Sequence, residues 1–518
     1  MTEKARWMAL LLAALLAVAP LSGCAKKSSA DQKSTAAPSM APSKPAYTPP
    51  TPTQPATTAA PQPLRAGEPA PAGGMYYENY GTNPMVNPST QPTTTFAIDV
   101  DTASYTLVRN YINRGQLPPA DAVRVEEFIN YFPQNYPNPS QAVGLYVEGG
   151  KSPFRAGTSL VQIGLKAREV GRAERKPAVL TFVIDISGSM NMENRLGLVK
   201  QSLGILLDQL SGDDQVGIVV YGSQGRVLLE HTADKDRIRD AIGRLSPEGS
   251  TNAEEGLRLG YELASRAFLK GGTNRVILCS DGVANTGLTR PDDLLRSIED
   301  WRGRGITLTT VGFGMGNFND VLMEQLADKG DGMYAYVDQL PEARRIFQQQ
   351  LMATLELVAR DAKVQVTFDP AQVVAYRLVG YENRGMANEN FRNDGVDGGE
   401  MGAGHTVTAL YEVTLRGNGS QLGQVSVRYK DAATGEVVEQ AAPILRSTAT
   451  AAPSARVRWT ASVAEFAGLL RGSPWAAESR MDAVRELAWD AARDLDMPTA
   501  HKEALELIDR AARLRGGR

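Results

Sequence analysis

The sequence is poor in cysteine, histidine and aromatic residues. It has two cysteines and three histidines in 518 residues, and aromatic residues make up 7% of the chain. Two cysteines allow at most one intramolecular disulfide, so packed hydrophobic cores must hold the folded protein together. The histidines, His231, His405 and His501, form no paired metal-binding motif. We therefore interpret them as surface or structural residues, and a Ser-His-Asp triad is poorly supported.

Excess positive charge and long apolar segments are also missing. The net charge is −3, and nucleic acid is not expected as a partner because phosphate binding needs clustered Lys and Arg. Beyond the amino terminus no run reaches about 18 consecutive apolar residues, so no transmembrane helix is predicted. A chain of 518 residues is too long for one hydrophobic core, and we expect two or more domains.

The amino terminus has the pattern of a secretory signal. Lys4 and Arg6 precede a short apolar stretch over residues 8–18, and the sequence Leu-Ser-Gly-Cys follows, ending at Cys24. This ending resembles a bacterial lipobox, which implies cleavage before Cys24 and lipidation, for example with palmitate. The alternative is a plain signal peptide with an incidental cysteine. By resemblance to Gram-negative lipoproteins, Ala25 favours the outer membrane.

Changes in composition along the chain predict seven segments. Pro, Ala, Thr and Ser dominate the region after Cys24, and such a region cannot bury enough surface to fold. Alternating apolar and polar residues on both sides of the central region predict one β-sandwich that this region interrupts. The segments are a signal peptide (1–23), a disordered stalk (24–90), an N-terminal α+β unit (91–140), the first part of the β-sandwich (141–175), a central domain (176–357), the second part of the sandwich (358–450) and a C-terminal helical region (451–518).

The central domain alternates short apolar strands with amphipathic helices. Its strands read "AVLTFVID", "QVGIVVYG", "RVILCSDG" and "ITLTTVGFG", each a nearly continuous apolar run. Strands that are apolar on both faces belong to parallel sheets covered by helices on each side. The pattern therefore predicts an α/β, Rossmann-like domain with a doubly wound, mostly parallel sheet.

Oxygen-bearing side chains follow the predicted strands of this domain. The first strand ends with Asp185, Ser187 and Ser189, a later loop carries Thr251, and Asp281 follows the strand "RVILCS". Ligands collect at the carboxyl ends of strands in doubly wound sheets, so these side chains are candidate ligands of one site. The alternative is that Asp185 and the serines cap a helix that begins near residue 191.

This arrangement resembles the metal-ion-dependent adhesion site of a von Willebrand factor type A domain. The resemblance implies that the hydroxyls of Ser187, Ser189 and Thr251 bind Mg²⁺, Mn²⁺ or Ca²⁺, while Asp185 and Asp281 bind it directly or through water. Mg²⁺ prefers about six hard oxygen ligands. An Asp or Glu of a partner protein would then complete the coordination. The flanking segments, among them "TFAIDVDTASYTLVRNYINRG" and "WTASVAEFAGLLRGSPW", resemble the bacterial YfbK-type family of von Willebrand factor A lipoproteins.

Two other acidic groups suggest different chemistry. Asp99 and Asp101 resemble the D-x-D of aspartate-nucleophile phosphatases, but they lie outside the α/β domain and Ala103 stands where that family usually carries Thr or Val. We interpret this pair as a structural turn or helix cap, with an incidental cation site as the alternative.

The second acidic group lies in the loop "NDGVDGGEMGAGH", which carries Asp394, Asp397 and Glu400. These residues suggest calcium, although the loop lacks the ligand spacing of an EF-hand. The loop is interpreted as an acidic connection between strands.

Together these patterns predict an exported protein that is lipid-anchored to the cell envelope through Cys24. Its von Willebrand factor A domain would bind an unknown protein through a divalent metal, and we expect no catalysis. The alternative is a cell-envelope scaffold or assembly factor that binds its partner independently of metal.

Overall fold

A computed structural model describes residues 75–171, 174–282, 291–316 and 318–516 of the chain, so the predicted signal peptide and Cys24 lie outside the described residues. The strands are β1 (Thr93–Ala97), β2 (Val143–Lys151), β3 (Thr158–Ala167), β4 (Ala178–Asp185), β5 (Gln215–Tyr221), β6 (Gly225–Thr232), β7 (Thr273–Ser280), β8 (Ile306–Phe313), β9 (Tyr334–Val337), β10 (Leu357–Phe368), β11 (Val373–Val379), β12 (Gly385–Met386), β13 (Gly399–Gly402), β14 (Thr406–Leu415), β15 (Gln421–Asp431) and β16 (Val437–Leu445).

The helices are α1 (Ala103–Asn113), α2 (Val125–Tyr131), α3 (Arg195–Gln209), α4 (Lys235–Gly243), α5 (Ala253–Arg266), α6 (Pro291–Gly303), α7 (Asp320–Lys329), α8 (Leu340–Arg344), α9 (Leu351–Thr354), α10 (Arg446–Thr450), α11 (Ala455–Arg471), α12 (Met481–Asp494) and α13 (Thr499–Gly516). A π-helical turn, Arg345–Gln350, joins α8 to α9. None of these described helices combines the length and the apolar character that crossing a membrane would require.

Strands β4 to β9 form the predicted central sheet. Their order is β6-β5-β4-β7-β8-β9, and neighbouring strands are parallel except that β6 runs antiparallel to β5. The prediction of an α/β, doubly wound and mostly parallel sheet is confirmed. Successive strands are added first on one side of β4 and then on the other, so a crevice forms at the carboxyl ends of β4 and β7.

Helices cover both faces of this sheet, which explains why its strands are apolar on both sides. One face packs against α3, α4 and the helix that runs from α8 to α9. The other face packs against α5, α6, α7 and also α1, which comes from the segment before the domain. The apolar side of α3 is buried against the sheet through Leu196, Val199, Leu203, Leu206 and Leu207.

The remaining strands form two antiparallel sheets that share one hydrophobic core. One sheet has the order β11-β14-β3-β2, and the other has the order β12-β1-β10-β15-β16 with β13 also paired to β10. β3 pairs with β14 along its length, from Thr158 opposite Thr414 to Lys166 opposite Thr406. Strands before and after the α/β domain therefore belong to one sheet, and the α/β domain is inserted between β3 and β10.

The segment over residues 91–140 differs from the separate unit that the sequence predicts. β1 pairs with β10 inside the sandwich, with Thr93 opposite Thr367 and Ala97 opposite Lys363. Helices α1 and α2 share a hydrophobic core with α11, α12 and α13. A single short strand and two helices cannot bury their apolar faces against one another alone, so these elements pack with partners from the rest of the chain.

The predicted stalk is too long at its carboxyl end. Residues 75–90 lie against the folded protein, where the Tyr76 amide donates to the Phe318 carbonyl at 3.0 Å. Val86 forms an antiparallel bridge with Tyr376 of β11. Backbone hydrogen bonds of this kind satisfy polar groups that a stalk would leave to water, and this segment belongs to the folded part.

Candidate metal centre

The candidate metal centre lies at the carboxyl ends of two adjacent parallel strands. Asp185 is the last residue of β4, and Ser280 is the last residue of β7, with Asp281 directly after it. The two strands are in register, with Ile184 opposite Cys279. Because parallel strands end at the same edge of a sheet, carboxylates that are almost a hundred residues apart in the chain lie side by side.

Asp185 is fully buried and each of its carboxylate oxygens accepts a hydrogen bond. The Ser187 amide donates to Oδ1 at 2.8 Å, and the Ser280 hydroxyl donates to Oδ2 at 2.9 Å. Burial raises the pKa of Asp185 to about 6, and the nearby charge of Asp281 adds to this shift, while the hydrogen bonds oppose it. A buried anion with a raised pKa gains from a cation placed beside it.

Ser187 and Ser189 follow Asp185 in the chain, and their hydroxyls lie next to each other. Their Oγ atoms lie 3.0 Å apart, which matches the separation of about 3.0 Å between adjacent ligands of an octahedral ion with bonds near 2.1 Å. Ser187 precedes a 3₁₀ turn over Gly188–Asn194, but its side chain makes no capping hydrogen bond, and α3 begins only at Arg195. The helix-capping alternative from the sequence therefore has no support in the hydrogen bonding.

Thr251 lies on the loop that packs against this turn. The Gly188 amide donates to the Gly249 carbonyl at 3.1 Å, and the Glu248 amide donates to the Ile186 carbonyl at 2.5 Å. Thr251 itself is half-buried and stands just before α5. Asp185, Ser187, Ser189 and Asp281 are thus brought together at the strand ends, and Thr251 lies on the adjoining loop.

Two residues outside the predicted ligand set contact the predicted aspartates. Ser280 binds Asp185, as described above, and also accepts a hydrogen bond from the Gly282 amide at 3.1 Å. Arg195, the first residue of α3, donates through Nη1 to Asp281 Oδ2 at 2.6 Å. Ser280 could have been noticed because it precedes Asp281, whereas nothing in the local sequence around Arg195 indicates Asp281 as its partner.

The donor set fits a hard divalent cation. It consists of two carboxylates and three hydroxyls, the oxygen ligands that Mg²⁺, Mn²⁺ and Ca²⁺ accept. Sulfur and imidazole ligands, which softer metals prefer, do not occur among these five residues. The residues therefore fit the metal that the resemblance implies.

Asp99 and Asp101 are both buried, but their carboxylates are occupied by an arginine. Arg384 contacts Asp99 at 3.1 Å and Asp101 at 3.4 Å, and it also binds Glu324 at 3.2 Å. The Tyr334 amide donates to Asp101 Oδ1 at 2.8 Å, which ties this turn to β9. The pair belongs to an ion-pair network between the sandwich and the α/β domain, in which carboxylate oxygens of Asp99, Asp101 and Glu324 lie within 4.8 Å of one another.

The acidic loop around residue 397 is also paired with arginines. Asp394 binds Arg428 at 2.7 Å, and Asp397 binds Arg302 of α6 at 2.6 Å. Carboxylate oxygens of Asp331, Asp397 and Glu400 lie within 4.8 Å of one another. Burial raises the pKa of Glu400, and its acidic neighbours add to that shift. The loop therefore connects the sandwich to the α/β domain through Arg302.

The three histidines lie away from the strand ends of the candidate centre and make structural contacts. His231 Nε2 lies 3.0 Å from the Thr181 hydroxyl, and the His501 ring packs at a tilt of 32° against Trp459 with ring centroids 3.9 Å apart. Burial lowers the pKa of His231, His405 and His501 to about 4. His501 is buried and His231 and His405 are half-buried, and neutral imidazoles in such places agree with the interpretation of surface or structural residues.

Comparison with family models divides the chain into three matched parts. Residues 71–162 match a model described as von Willebrand factor, and residues 180–349 match the von Willebrand factor type A domain. Residues 353–425 and 416–514 match the model described as uncharacterized protein YfbK, C-terminal. The second match contains all five residues of the candidate metal centre.

Three known proteins are similar to this chain over different shares of its length. The uncharacterized protein YfbK of Escherichia coli (strain K12) is 34% identical over 473 residues, which cover 85% of this chain and 81% of that protein. The uncharacterized protein sll0103 of Synechocystis is 27% identical over 53% of this chain and 67% of its own length. Human inter-alpha-trypsin inhibitor heavy chain H3 is 28% identical over 33% of this chain and 19% of its own length.

Among solved structures, the von Willebrand factor type A protein from Catenulispora acidiphila covers 71% of this chain and 90% of its own, with 17% identity and a TM-score of 0.43.

Proposed function

The chain belongs to the YfbK family of bacterial proteins with a von Willebrand factor type A domain, and from that premise we propose that it binds a partner protein through a divalent cation. Asp185, Ser187, Ser189, Thr251 and Asp281 would hold the cation at the carboxyl ends of β4 and β7. When bound there, a divalent cation would supply an electrophilic position that accepts a carboxylate oxygen from an Asp or Glu of the partner. Von Willebrand factor A domains commonly take part in protein interaction or adhesion, which supports the proposal.

The single observation that carries the proposal is the arrangement of hard oxygen donors around buried Asp185. Its two carboxylate oxygens are oriented by Ser187 and Ser280, and the Ser187 and Ser189 hydroxyls lie 3.0 Å apart. Orientation of ligand carboxylates by neighbouring donors is typical of metal sites. Asp185 and Asp281 are held at the ends of two paired strands, which favours a preorganised site, and Ser187, Ser189 and Thr251 lie on the adjoining loops.

We also propose where in the cell the protein is located. Cys24 would carry lipid and anchor the protein to the cell envelope, in the outer membrane if the cell is Gram-negative. The Pro-rich region after Cys24 would hold the folded part away from the membrane. We expect no catalysis, and the relatives named above do not carry the names of enzymes.

Cross-linking in the native envelope, followed by capture of the full chain and mass spectrometry, tests this proposal. We expect specific partners to be captured with Mg²⁺, lost with EDTA, and lost in Asp185→Ala even with Mg²⁺. Asp213→Ala is the matched control, because Asp213 is an exposed aspartate of the same domain. Far-UV circular dichroism confirms that each variant is folded.

Capture that is indifferent to EDTA and to Asp185→Ala would refute binding through the metal. That result would favour the alternative, a cell-envelope scaffold or assembly factor that binds independently of metal. Fractionation of the same cells tests the anchor, since the captured protein should be found in the membrane fraction.

A further inference from the structure

A buried guanidinium lies inside the candidate metal centre. Arg195 Nη1 is 2.6 Å from Asp281 Oδ2, and the two side chains are only 6% and 5% exposed. The Nη2 atom of Arg195 donates to the Met315 carbonyl. Its Nε atom is buried and has no hydrogen-bond partner within the described part of the chain. An unpaired buried donor is costly, so the position of this side chain needs a reason beyond local hydrogen bonding.

The place of Arg195 in its helix does not supply that reason. Arg195 is the first residue of α3, where the helix dipole disfavours a positive charge. The partner that offsets this cost is Asp281, which lies 86 residues later in the chain. Glu193 is the other nearby carboxylate, at 3.9 Å, but its oxygens bind Arg114.

The loop after β8 holds the guanidinium in place. Gly314 has a φ of +76°, and a Cβ atom added there would collide with the Arg195 side chain. The loop therefore leaves room for Arg195 because it has a glycine at this position. Packing on one side and Asp281 on the other keep Arg195 from swinging out of the site.

We propose that Arg195 is a positioning residue that weakens cation binding and strengthens binding of the partner's carboxylate, an inference that rests on the proposed function. Arg195 occupies Oδ2 of Asp281 and leaves Oδ1 for the cation or its bound water. Asp185, Asp281 and Arg195 together carry a formal charge of −1, which a divalent cation changes to +1. Without Arg195 the loaded site would be neutral and would attract an anion less strongly.

Two affinities of the purified full chain test this role. Mn²⁺ affinity is measured by electron paramagnetic resonance, and acetate affinity of the Mn²⁺-loaded protein is measured by water-proton relaxation. In Arg195→Gln we expect Mn²⁺ to bind at least ten-fold more tightly and acetate to bind at least three-fold more weakly. Arg195→Lys keeps the charge and should stay within about three-fold of the unmodified chain in both affinities.

Arg266→Gln is the matched control, because Arg266 pairs with Glu230 in the same domain but both side chains are more than half exposed. Neither affinity should change in this variant, since solvent screens an exposed pair. If Arg195→Gln does not fold, Arg195→Met takes its place, because methionine keeps an unbranched side chain beside Gly314 and removes the charge without burying a new polar group. This variant too should bind Mn²⁺ more tightly and acetate more weakly.

Opposite shifts of the two affinities support the inference, because a purely structural role would weaken both. If the unmodified chain binds Mn²⁺ and Arg195→Gln binds it equally well or more weakly, the inference about Arg195 is overturned. The proposed function is not affected by that result. Absence of Mn²⁺ binding by the unmodified chain overturns the proposed function and this inference with it.

Discussion

Replacing Arg384 by methionine should destabilise the junction between the sandwich and the α/β domain. Arg384 contacts Asp99 after β1, and it contacts Glu324 and Asp328 on α7 of the α/β domain. It also contacts Asp101 at 3.4 Å. The substitution keeps most of the side-chain volume and removes the positive charge, so it isolates the electrostatic contribution of these contacts.

The expected loss of unfolding free energy is about 3–5 kcal/mol at pH 7. Asp99 is only 4% exposed, so it is left as an uncompensated buried charge, whereas burial raises the pKa of Glu324 to about 8 and this carboxyl is largely neutral at pH 7. Asp328 is 39% exposed, and solvent reduces its share. The loss of unfolding free energy has an upper bound, because an unpaired buried carboxylate can take up a proton instead of staying charged. Protonating a carboxyl of ordinary pKa costs about 4 kcal/mol at pH 7.

The loss should shrink as the pH falls from 8 to 5. Burial raises the pKa of Asp328 in the folded protein, and the charge and hydrogen bond of Arg384 oppose this rise. Without Arg384 the pKa of Asp328 rises further above its unfolded value, so the folded variant binds more protons than the folded unmodified chain does. Stability of the variant relative to the unmodified chain then increases at lower pH, by up to about 1.4 kcal/mol per pH unit for each extra proton.

Guanidinium chloride unfolding of the full chain, followed by far-UV circular dichroism at four pH values between 5 and 8, measures both effects. Arg392→Met is the matched control, because Arg392 forms a similar pair with Glu439 at 2.7 Å but is 70% exposed. Its unfolding midpoint should not change. The reasoning is refuted if Arg384→Met loses less than about 1 kcal/mol at pH 7, the range of exposed pairs, or if its deficit grows as the pH falls.

Three further predictions concern the metal centre and the anchor. Mn²⁺ affinity should fall about ten-fold per pH unit below pH 6, because burial raises the pKa of Asp185 to about 6 and a cation needs the ionised carboxylate. Calorimetric titration measures this affinity, and equal values at pH 7 and pH 5 would contradict the prediction. Ser280→Ala should lower Mn²⁺ affinity about 10- to 100-fold in the same assay, because Asp185 loses the donor that orients it, and an unchanged affinity would contradict that role. Cys24→Ser should abolish labelling with palmitate and move the protein out of the membrane fraction, and a variant that stays membrane-bound would argue against a lipid anchor.

The sequence predicted the central domain well because its signals are local. Apolar strands that end in Asp185 and in Ser280 followed by Asp281 indicate a parallel sheet, and the sheet has the predicted doubly wound order. The sequence did not predict that residues 75–90 and β1 belong to the folded sandwich. Their backbone partners lie hundreds of residues away, and short extended segments carry no signal for a distant partner.

The sequence by itself determined the class of fold and the residue types at the strand ends, because periodicity and strand-terminal oxygens are properties of neighbouring residues. Only the tertiary structure decided which charges these carboxylates meet. Asp281 pairs with Arg195 across 86 positions, and Asp99 pairs with Arg384 across 285 positions. Packing of the sheet, the helices and the sandwich selects these partners, and their charges then set how strongly each carboxylate is available to a cation.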